Sequence, residues 1–368
     1  MIPKATSFAP PLQQVDRTYV VSGGRKLIYF GGCDYFRLSS HREVLAAIHE
    51  GLERFGLNVA ASRFTTGNHE LYERLESELQ RFFGAESATL VSNGYATNLV
   101  VAQTLAGEFS HALIDSRAHQ SLRDCLPFLK SRVVEFRHAE LAEVSKAIQK
   151  LNKGSRIILL TDGMFSHNGT LAPLREYLNV LPRGSKMVVD DAHGAGTIGR
   201  RGRGTCEVLG IESEQIIQTI SLSKAFGTYG GAILGSKALR EKMLERSSVL
   251  RGNTPLPLPL ANAALRALTL MGEQSALRRR LVKNTALVKS LLQRTAPNKV
   301  ENDTPIVSVF PKSRSEARQL RQELLAKKIY PSQISYGDDQ AYFRFAISSE
   351  HTRAQLESLV SLLRGFSG

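Results

Sequence analysis

The 368-residue sequence carries 48 Lys and Arg against 34 Asp and Glu, a formal charge of +14, with 42% hydrophobic and 22% charged residues. That composition is globular, excludes low-complexity and repeat architectures, and at this length favours two domains. Three scattered cysteines (Cys33, Cys125, Cys206) give neither a disulfide framework nor a zinc pattern, and no metal is expected. No stretch is long enough to span a bilayer, and Met1-Ile2-Pro3-Lys4-Ala5-Thr6 has no apolar h-region, so a reduced, cytoplasmic protein is expected.

Tyr19 to Gly31 reads as a hairpin around a Ser22-Gly23-Gly24 turn. Ser40-His41-Arg42-Glu43 reads as a capping box opening a helix whose Leu45, Ile48, Leu52 and Phe55 share one face, with Gly56 ending it. A second helix carries Leu71, Leu75, Leu79 and Phe82 and stops at Gly84. Apolar runs at 88–91, 112–114, 156–160, 187–189 and 216–220 then alternate with helical or irregular stretches. This is the pattern of a mainly parallel sheet covered on both faces. The alternation breaks at Thr254-Pro255-Leu256-Pro257-Leu258-Pro259, and a helical stretch follows over 260–292. A strand over 306–310, a helix over 315–327, a strand over 342–347 and a last helix from about Thr352 complete a small α+β unit. Residues 46–254 are thus assigned to a large α/β domain, and 1–45 with 255–368 to a small discontinuous one.

In open α/β sheets, ligands bind outside the carboxyl ends of the strands. Those ends here carry an unusual set of polar groups. Ser92-Asn93-Gly94-Tyr95 follows the first run and opens a helix; the glycine serves a tight turn or lets backbone amides meet an anion. Asp115-Ser116-Arg117-Ala118-His119 follows the second, Thr161-Asp162 and Ser166 the third, and Asp190-Asp191-Ala192-His193 the fourth. Carboxylates after a hydrophobic strand are costly to bury without a partner. Ile216 to Ile220 then delivers Ser221 and Lys224 to a glycine-rich turn. A lysine there either points into water or, desolvated, offers a neutral amine to a carbonyl. Pyridoxal phosphate chemistry needs this set: a lysine, an acid partner for the ring nitrogen and an anion cradle.

Two other readings are weaker. Gly194-Ala195-Gly196-Thr197-Ile198-Gly199 matches the dinucleotide fingerprint literally, but the basic stretch after it opens no apolar helix, and Glu212 and Glu214 precede the next strand. Arg200-Arg201-Gly202-Arg203 and Arg278-Arg279-Arg280 come with no zinc-finger or aromatic RNA-binding motif, and an anionic small-molecule substrate suits the charge. Neither nucleic acid nor membrane is an expected partner.

Four stretches carry a resemblance: 61–69 (Ala-Ser-Arg-Phe-Thr-Thr-Gly-Asn-His), 92–98 (Ser-Asn-Gly-Tyr-Ala-Thr-Asn), 190–196 (Asp-Asp-Ala-His-Gly-Ala-Gly) and 221–227 (Ser-Leu-Ser-Lys-Ala-Phe-Gly). Over about Asp34 to His351 the chain resembles the α-oxoamine synthase family of fold-type-I pyridoxal phosphate enzymes. The Ser-Arg-Phe-Thr-Thr-Gly-Asn-His stretch is most similar to the 8-amino-7-oxononanoate synthase branch. The resemblance implies a class I/II aminotransferase-like fold, with a mainly parallel sheet of the seven-stranded type and a smaller α+β domain. It also implies a condensation of a small amino acid, alanine in that branch, with an acyl-CoA or carrier-protein thioester, with decarboxylation to an α-amino ketone. Glycine C-acetyltransferase, or a synthase of an amino-ketone signal or lipid precursor, is the alternative.

Carried over by position, Lys224 holds the cofactor through a Schiff base and then acts as base. Asp190 partners the ring nitrogen, His193 bonds the phenolic oxygen with Ser166 beside it, and His119 stacks on the ring and assists proton transfers. The amides of Gly94 and Tyr95, with Ser221, bind the phosphate. Thr254 reaches it from a second subunit, implying a homodimer with shared sites, and Arg344 clamps the amino-acid carboxylate. Two departures bear on substrate choice: Cys33 stands where the family has asparagine, and Tyr330-Pro331-Ser332-Gln333-Ile334 replaces an Arg-Pro-Pro segment, with two extra residues before Arg344.

Overall fold

A computed structural model describes residues 8–152, 154–273, 275–294, 302–334 and 341–366. The start of the chain read above, Met1 to Thr6, lies outside them, as do residues 335–340 of the stretch ahead of Arg344. In chain order the elements begin with a meander of β1 (Gln13–Gln14), β2 (Tyr19–Ser22) and β3 (Arg25–Ile28). Helices α1 (Arg42–Phe55) and α2 (Glu70–Phe83) follow, then β4 (Ser87–Val91), α3 (Gly94–Thr104), β5 (His111–Asp115), α4 (Gln120–Leu129) and β6 (Arg132–Phe136). Next come α5 (Leu141–Gln149), β7 (Ile157–Asp162), α6 (Leu174–Val180), β8 (Lys186–Asp190), α7 (Thr205–Val208), β9 (Ile216–Ser221) and β10 (Gly231–Gly235). The rest is α8 (Lys237–Arg246), α9 (Ser248–Gly252), α10 (Leu258–Glu273), α11 (Ser275–Gln293), β11 (Ile306–Val309), α12 (Arg314–Ala326), β12 (Gln333–Ile334), β13 (Tyr342–Ala346) and α13 (Arg353–Leu363).

The chain divides into a larger unit, 41–165 with 171–274, and a smaller one, 1–40 with 166–170 and 275–368. This corrects the sequence boundaries at 45/46 and 254/255. Helix α10 packs on α1 and α2, so it belongs with the larger unit. The approach is close enough that a Cβ on Gly51 would come within 2.8 Å of Pro259 Cα. The stretch read as one helix over 260–292 is two helices, α10 and α11, assigned to different units.

The larger unit is built on a seven-stranded sheet in the order β4-β10-β9-β8-β7-β5-β6. All neighbours are parallel except β10, which runs antiparallel to β4 and β9. Strands β6 and β10 were not anticipated; Gly231-Ala-Ile-Leu-Gly235 is short, and its glycines hide its strand character. Period-2 alternation decides which face each residue serves. Ile158, Leu160, Val188 and Ile217 enter one apolar layer with Val100, Val101, Leu122 and Cys125 from α3 and α4. Leu159, Met187 and Val189 enter the opposite layer with Leu174 and Tyr177 of α6. Burial on both faces is why these strands read as continuous hydrophobic runs.

Two local expectations are corrected. The N-cap of α1 is His41, whose ring accepts from Glu43 N at 3.3 Å, while Ser40 ends a 3-10 turn. The buried face of α1 is Val44, Ala47 and Gly51; Leu45 (41% exposed) and Leu52 (49%) face outward. The helix has two apolar stripes, and periodicity alone picked the one the fold leaves uncovered. In the smaller unit β11, β13 and β12 form an antiparallel sheet, and the meander joins it through Ile28 N to Lys328 O and Tyr330 N to Ile28 O. Its core is Phe30, Val288, Leu320, Leu324, Phe343, Phe345, Leu356 and Leu359.

Candidate active site

The same alternation that sorts the core sets the site. Two residues on from Leu160 and Val188, the strands end at Asp162 and Asp190, so both carboxylates lie on the α3/α4 side of the sheet, register partners across β7 and β8. Two and four residues on from Ile217, β9 places Thr219 and Ser221 on that side as well. A cavity of about 570 Å³, ordinary for a small-ligand site, opens at these ends. Its lining includes Gly94, Tyr95, His119, Asp162, Asp190, His193, Ser221 and Lys224. Lys224 and Asp190, from separate strand ends, therefore share one rim.

Asp190 is 7% exposed and well solvated by protein. Its Oδ2 accepts from Asn98 Nδ2 at 2.7 Å and its Oδ1 from Ala192 N at 3.1 Å; Ser121 Oγ lies 3.4 Å from Oδ2 but 2.8 Å from His119 Nδ1, which takes its one proton. Asn98 cannot turn its amide around, because Thr219 Oγ1 donates to its Oδ1 at 2.9 Å. Asp162 is 3% exposed, and among the described residues its side chain has one partner, the backbone N–H of His119, which donates to Oδ1 at 2.8 Å. Burial, reinforced by the neighbouring Asp190, pushes the Asp162 carboxyl well above the usual carboxylate range.

His119 caps α4, its Nδ1 accepting from Ser121 N at 3.3 Å, so the ring proton of the neutral form sits on Nε2. Burial lowers its pKa, with Lys224 adding to the effect and Asp190 opposing it. Tyr95 meets the His119 ring edge-on, centroids 6.1 Å apart, and its hydroxyl donates to Asp124, which pushes the phenol up to about 12.

The opposite end of the cavity suits an anion. Asn93 caps α3 by accepting from Ala96 N at 2.9 Å, leaving the first-turn amides of Gly94 and Tyr95 without intrahelical acceptors. A Cβ on Gly94 would come within 2.8 Å of Ser221 Cβ and 2.9 Å of its Oγ, so only glycine permits this approach. Ser221 Oγ pairs with Ser223 Oγ at 2.8 Å. The turn carrying Lys224 is closed by Leu222 N to Gly230 O, Thr228 N to Leu222 O and Gly227 N to Lys224 O. Asp191 leaves β8 toward the other face. It takes Thr205 N and Gln218 Nε2 on Oδ2 and Thr205 Oγ1 on Oδ1, and burial pushes it up to about 6.

Ser166 and Arg344 belong to the smaller unit, where Arg344 donates to Ser166 O at 3.2 Å and, more weakly, to Cys33 Sγ at 3.9 Å. Thr254 is exposed and does not line the cavity. Sequence reasoning gave no role to Asn98, Ser121, Asp162 or Ser223, although strand alternation alone puts Asp162 beside Asp190. A lysine, an anchored carboxylate, an imidazole and an anion cradle around one cavity fit pyridoxal phosphate in the chemistry of their donors.

Residues 25–363 match the family model for class I and II aminotransferases. The chain is 33% identical over 350 residues to the 8-amino-7-oxononanoate synthase of Thioalkalivibrio sulfidiphilus, covering 93% of this chain and 89% of that protein. It is 30% identical to that of Geobacter sulfurreducens, covering 94% and 90%. Among solved structures it is similar to the S. paucimobilis serine palmitoyltransferase carrying a pyridoxal phosphate–myriocin adduct (TM-score 0.89, 27% identity, 97% of this chain and 92% of that one). It is also similar to the 8-amino-7-oxononanoate synthase of Francisella tularensis (TM-score 0.80, 25% identity, 92% and 97%).

Proposed function

Because the chain belongs to the class I and II aminotransferase family, we propose that it condenses alanine with a long-chain acyl thioester and releases carbon dioxide and the free thiol, as an 8-amino-7-oxononanoate synthase. The chain has the fold-type-I transferase fold and is a pyridoxal-phosphate-dependent acyltransferase. The observation that carries the finer reading is the common cavity lined by Lys224, Asp190, His119 and His193, joined to the identity with named synthases over nearly the whole chain.

Bound pyridoxal phosphate supplies an electron sink for negative charge developing at the amino-acid α-carbon. Lys224 would hold it covalently and then, as a free amine, take the α-proton. Asp190, held by Asn98 and the Ala192 amide, would balance a protonated ring nitrogen. The Gly94 and Tyr95 amides and Ser221 would receive the phosphate, His119 would contact the ring, and His193 with Ser166 would bond its phenolic oxygen. Neutral His119 keeps a proton on Nε2 for the acyl carbonyl oxygen. Arg344 is the carboxylate clamp, on the strength of the family resemblance.

Thr254 would serve the phosphate site of a second subunit. A homodimer is supported by the apolar surface that Leu45, Leu52 and Leu57 leave open on the larger unit. No helix among the described residues is long and apolar enough to cross a membrane; a cytoplasmic location is part of this proposal. A second reading, glycine C-acetyltransferase or another amino-ketone synthase, is favoured by one observation: a thiol, Cys33, rather than an amide lies against Arg344.

Thiol release measured across alanine, glycine and serine, with donors from acetyl-CoA to pimeloyl-type thioesters, tests this. Alanine with the dicarboxylic donor should lead; turnover only with glycine and acetyl-CoA would overturn the choice of branch. Borohydride should fix the visible chromophore onto the peptide containing Lys224, and Lys224→Ala should lower turnover at least about a thousandfold.

A further inference from the structure

Asp162 and Asp190 end neighbouring parallel strands in register, on one face of the sheet, and both line the cavity. Two carboxylates so placed do not both ionise readily. Their surroundings are unequal. Asp190 takes two donors, the Ala192 N–H and an amide group locked in orientation by Thr219. Asp162 takes a single backbone N–H, on Oδ1, and the described residues offer Oδ2 no partner. We propose that Asp162 is a positioning residue that works as the neutral carboxylic acid. The pair carries one negative charge, seated on Asp190, while Asp162 holds the His119 backbone through Oδ1 and presents a hydrogen-bond donor on Oδ2.

The groups facing Asp162 agree with this assignment. Burial opposes its ionisation most, and Asp190 on β8 and Asp115 on β5 oppose it further; Lys224 and the His119 amide act the other way. The consequence is chemical. A rim with two anions would welcome two cations, whereas a rim with one anion and one O–H donor is matched to a single protonated ring nitrogen. Asp162 also sets where the imidazole of His119 stands, because the amide it accepts is the residue's own. The inference concerns the site of the proposed function, but its first test needs neither cofactor nor substrate.

Infrared spectra of apoprotein labelled with carboxyl-13C aspartate, taken at about pH 8 where Asp191 is ionised, should show a protonated-carboxyl band. The band should vanish in Asp162→Asn and persist in Asp191→Asn. Its absence from the wild type, or its survival in Asp162→Asn, would overturn the proposal. Cofactor titration gives the second readout. Asparagine keeps an acceptor for His119 N–H and a donor, so Asp162→Asn should hold the pyridoxal phosphate Kd within about threefold of wild type. Asp162→Ala, which leaves that buried N–H unpaired, should weaken it by about tenfold or more. A tenfold loss in the asparagine variant would mean that the charge of Asp162 is needed and the assignment is wrong. Failure of the wild type to bind pyridoxal phosphate would sink the proposed function while leaving the infrared result to decide Asp162.

Discussion

Asn98 is the residue whose replacement most directly tests how the site is held together. It is 1% exposed and makes three hydrogen bonds: Nδ2 to Asp190 Oδ2 at 2.7 Å, Nδ2 to Ser121 Oγ at 2.8 Å, and Oδ1 from Thr219 Oγ1 at 2.9 Å. In Asn98→Leu, which fills the same space and excludes water, Asp190 loses its shortest donor. A hydrogen bond to a charged group contributes about 1.5–3 kcal/mol. If that stabilisation is needed to keep Asp190 an anion opposite a ring cation, the Kd for pyridoxal phosphate should rise roughly 10- to 150-fold. Thr219→Val removes only the neutral bond that orients the amide, about 1 kcal/mol, and should raise Kd about fivefold. The double variant should be no worse than Asn98→Leu alone, since Thr219 acts only through Asn98. Absorbance titration of apoprotein measures all three, with circular dichroism to check folding. A folded Asn98→Leu protein that binds the cofactor within twofold of wild type would refute the reasoning.

Gly94→Ala pushes a methyl into Ser221; overpacking of this kind costs about 1–3 kcal/mol. Because it falls where the phosphate is proposed to sit, cofactor affinity should drop about tenfold or more, and the melting temperature should fall by a few degrees. Asp191, pushed up to about 6 by burial, binds a proton more tightly folded than unfolded. Its contribution to stability is therefore present below the ordinary carboxylate pKa and is lost as pH rises through about 6, by roughly 3 kcal/mol. A carboxyl resonance of Asp191 that titrates near pH 4 in 13C NMR would disprove this. Leu52, 49% exposed on α1, should tolerate Leu52→Glu in the fold, yet light scattering should find the variant monomeric and the wild type at the mass of the proposed homodimer. An unchanged mass would remove α1 from the interface.

Much was legible without coordinates because strand ends carry their chemistry in order. Asp190-Asp191, His193, Ser221 and Lys224 each follow an apolar run, and an ionisable group after a buried strand demands an explanation whatever the fold. Helix ends were legible where glycine takes the left-handed conformation, as at Gly84 with φ 69°. Less was legible where one pattern serves two outcomes. Leu45 and Leu52 are apolar and helically spaced, but α10 covers the other side of α1. Strand β10 hides between glycines, and the antiparallel pairing that inserts it between β4 and β9 is a property of the sheet. Asp162 stood in plain view in Thr161-Asp162, but its register neighbour Asp190 is 28 residues away and the N–H it accepts, from His119, is 43 away.

The amino-acid order alone therefore pointed to pyridoxal phosphate chemistry and to Lys224 and Asp190 as its proposed lysine and acid, since covalent attachment and charge pairing each demand a particular side chain at a strand end, while the family resemblance supplied the reaction class. Tertiary structure alone decided which of three carboxylates is solvated by protein donors, which is left with a single N–H, and which turns to the far face. Those differences arise from neighbours on separate strands and helices, Asn98, Ser121, Thr219 and Thr205, brought within hydrogen-bond distance only when the sheet and its covering helices are packed. Local propensity has no means of encoding such a distance. Packing does.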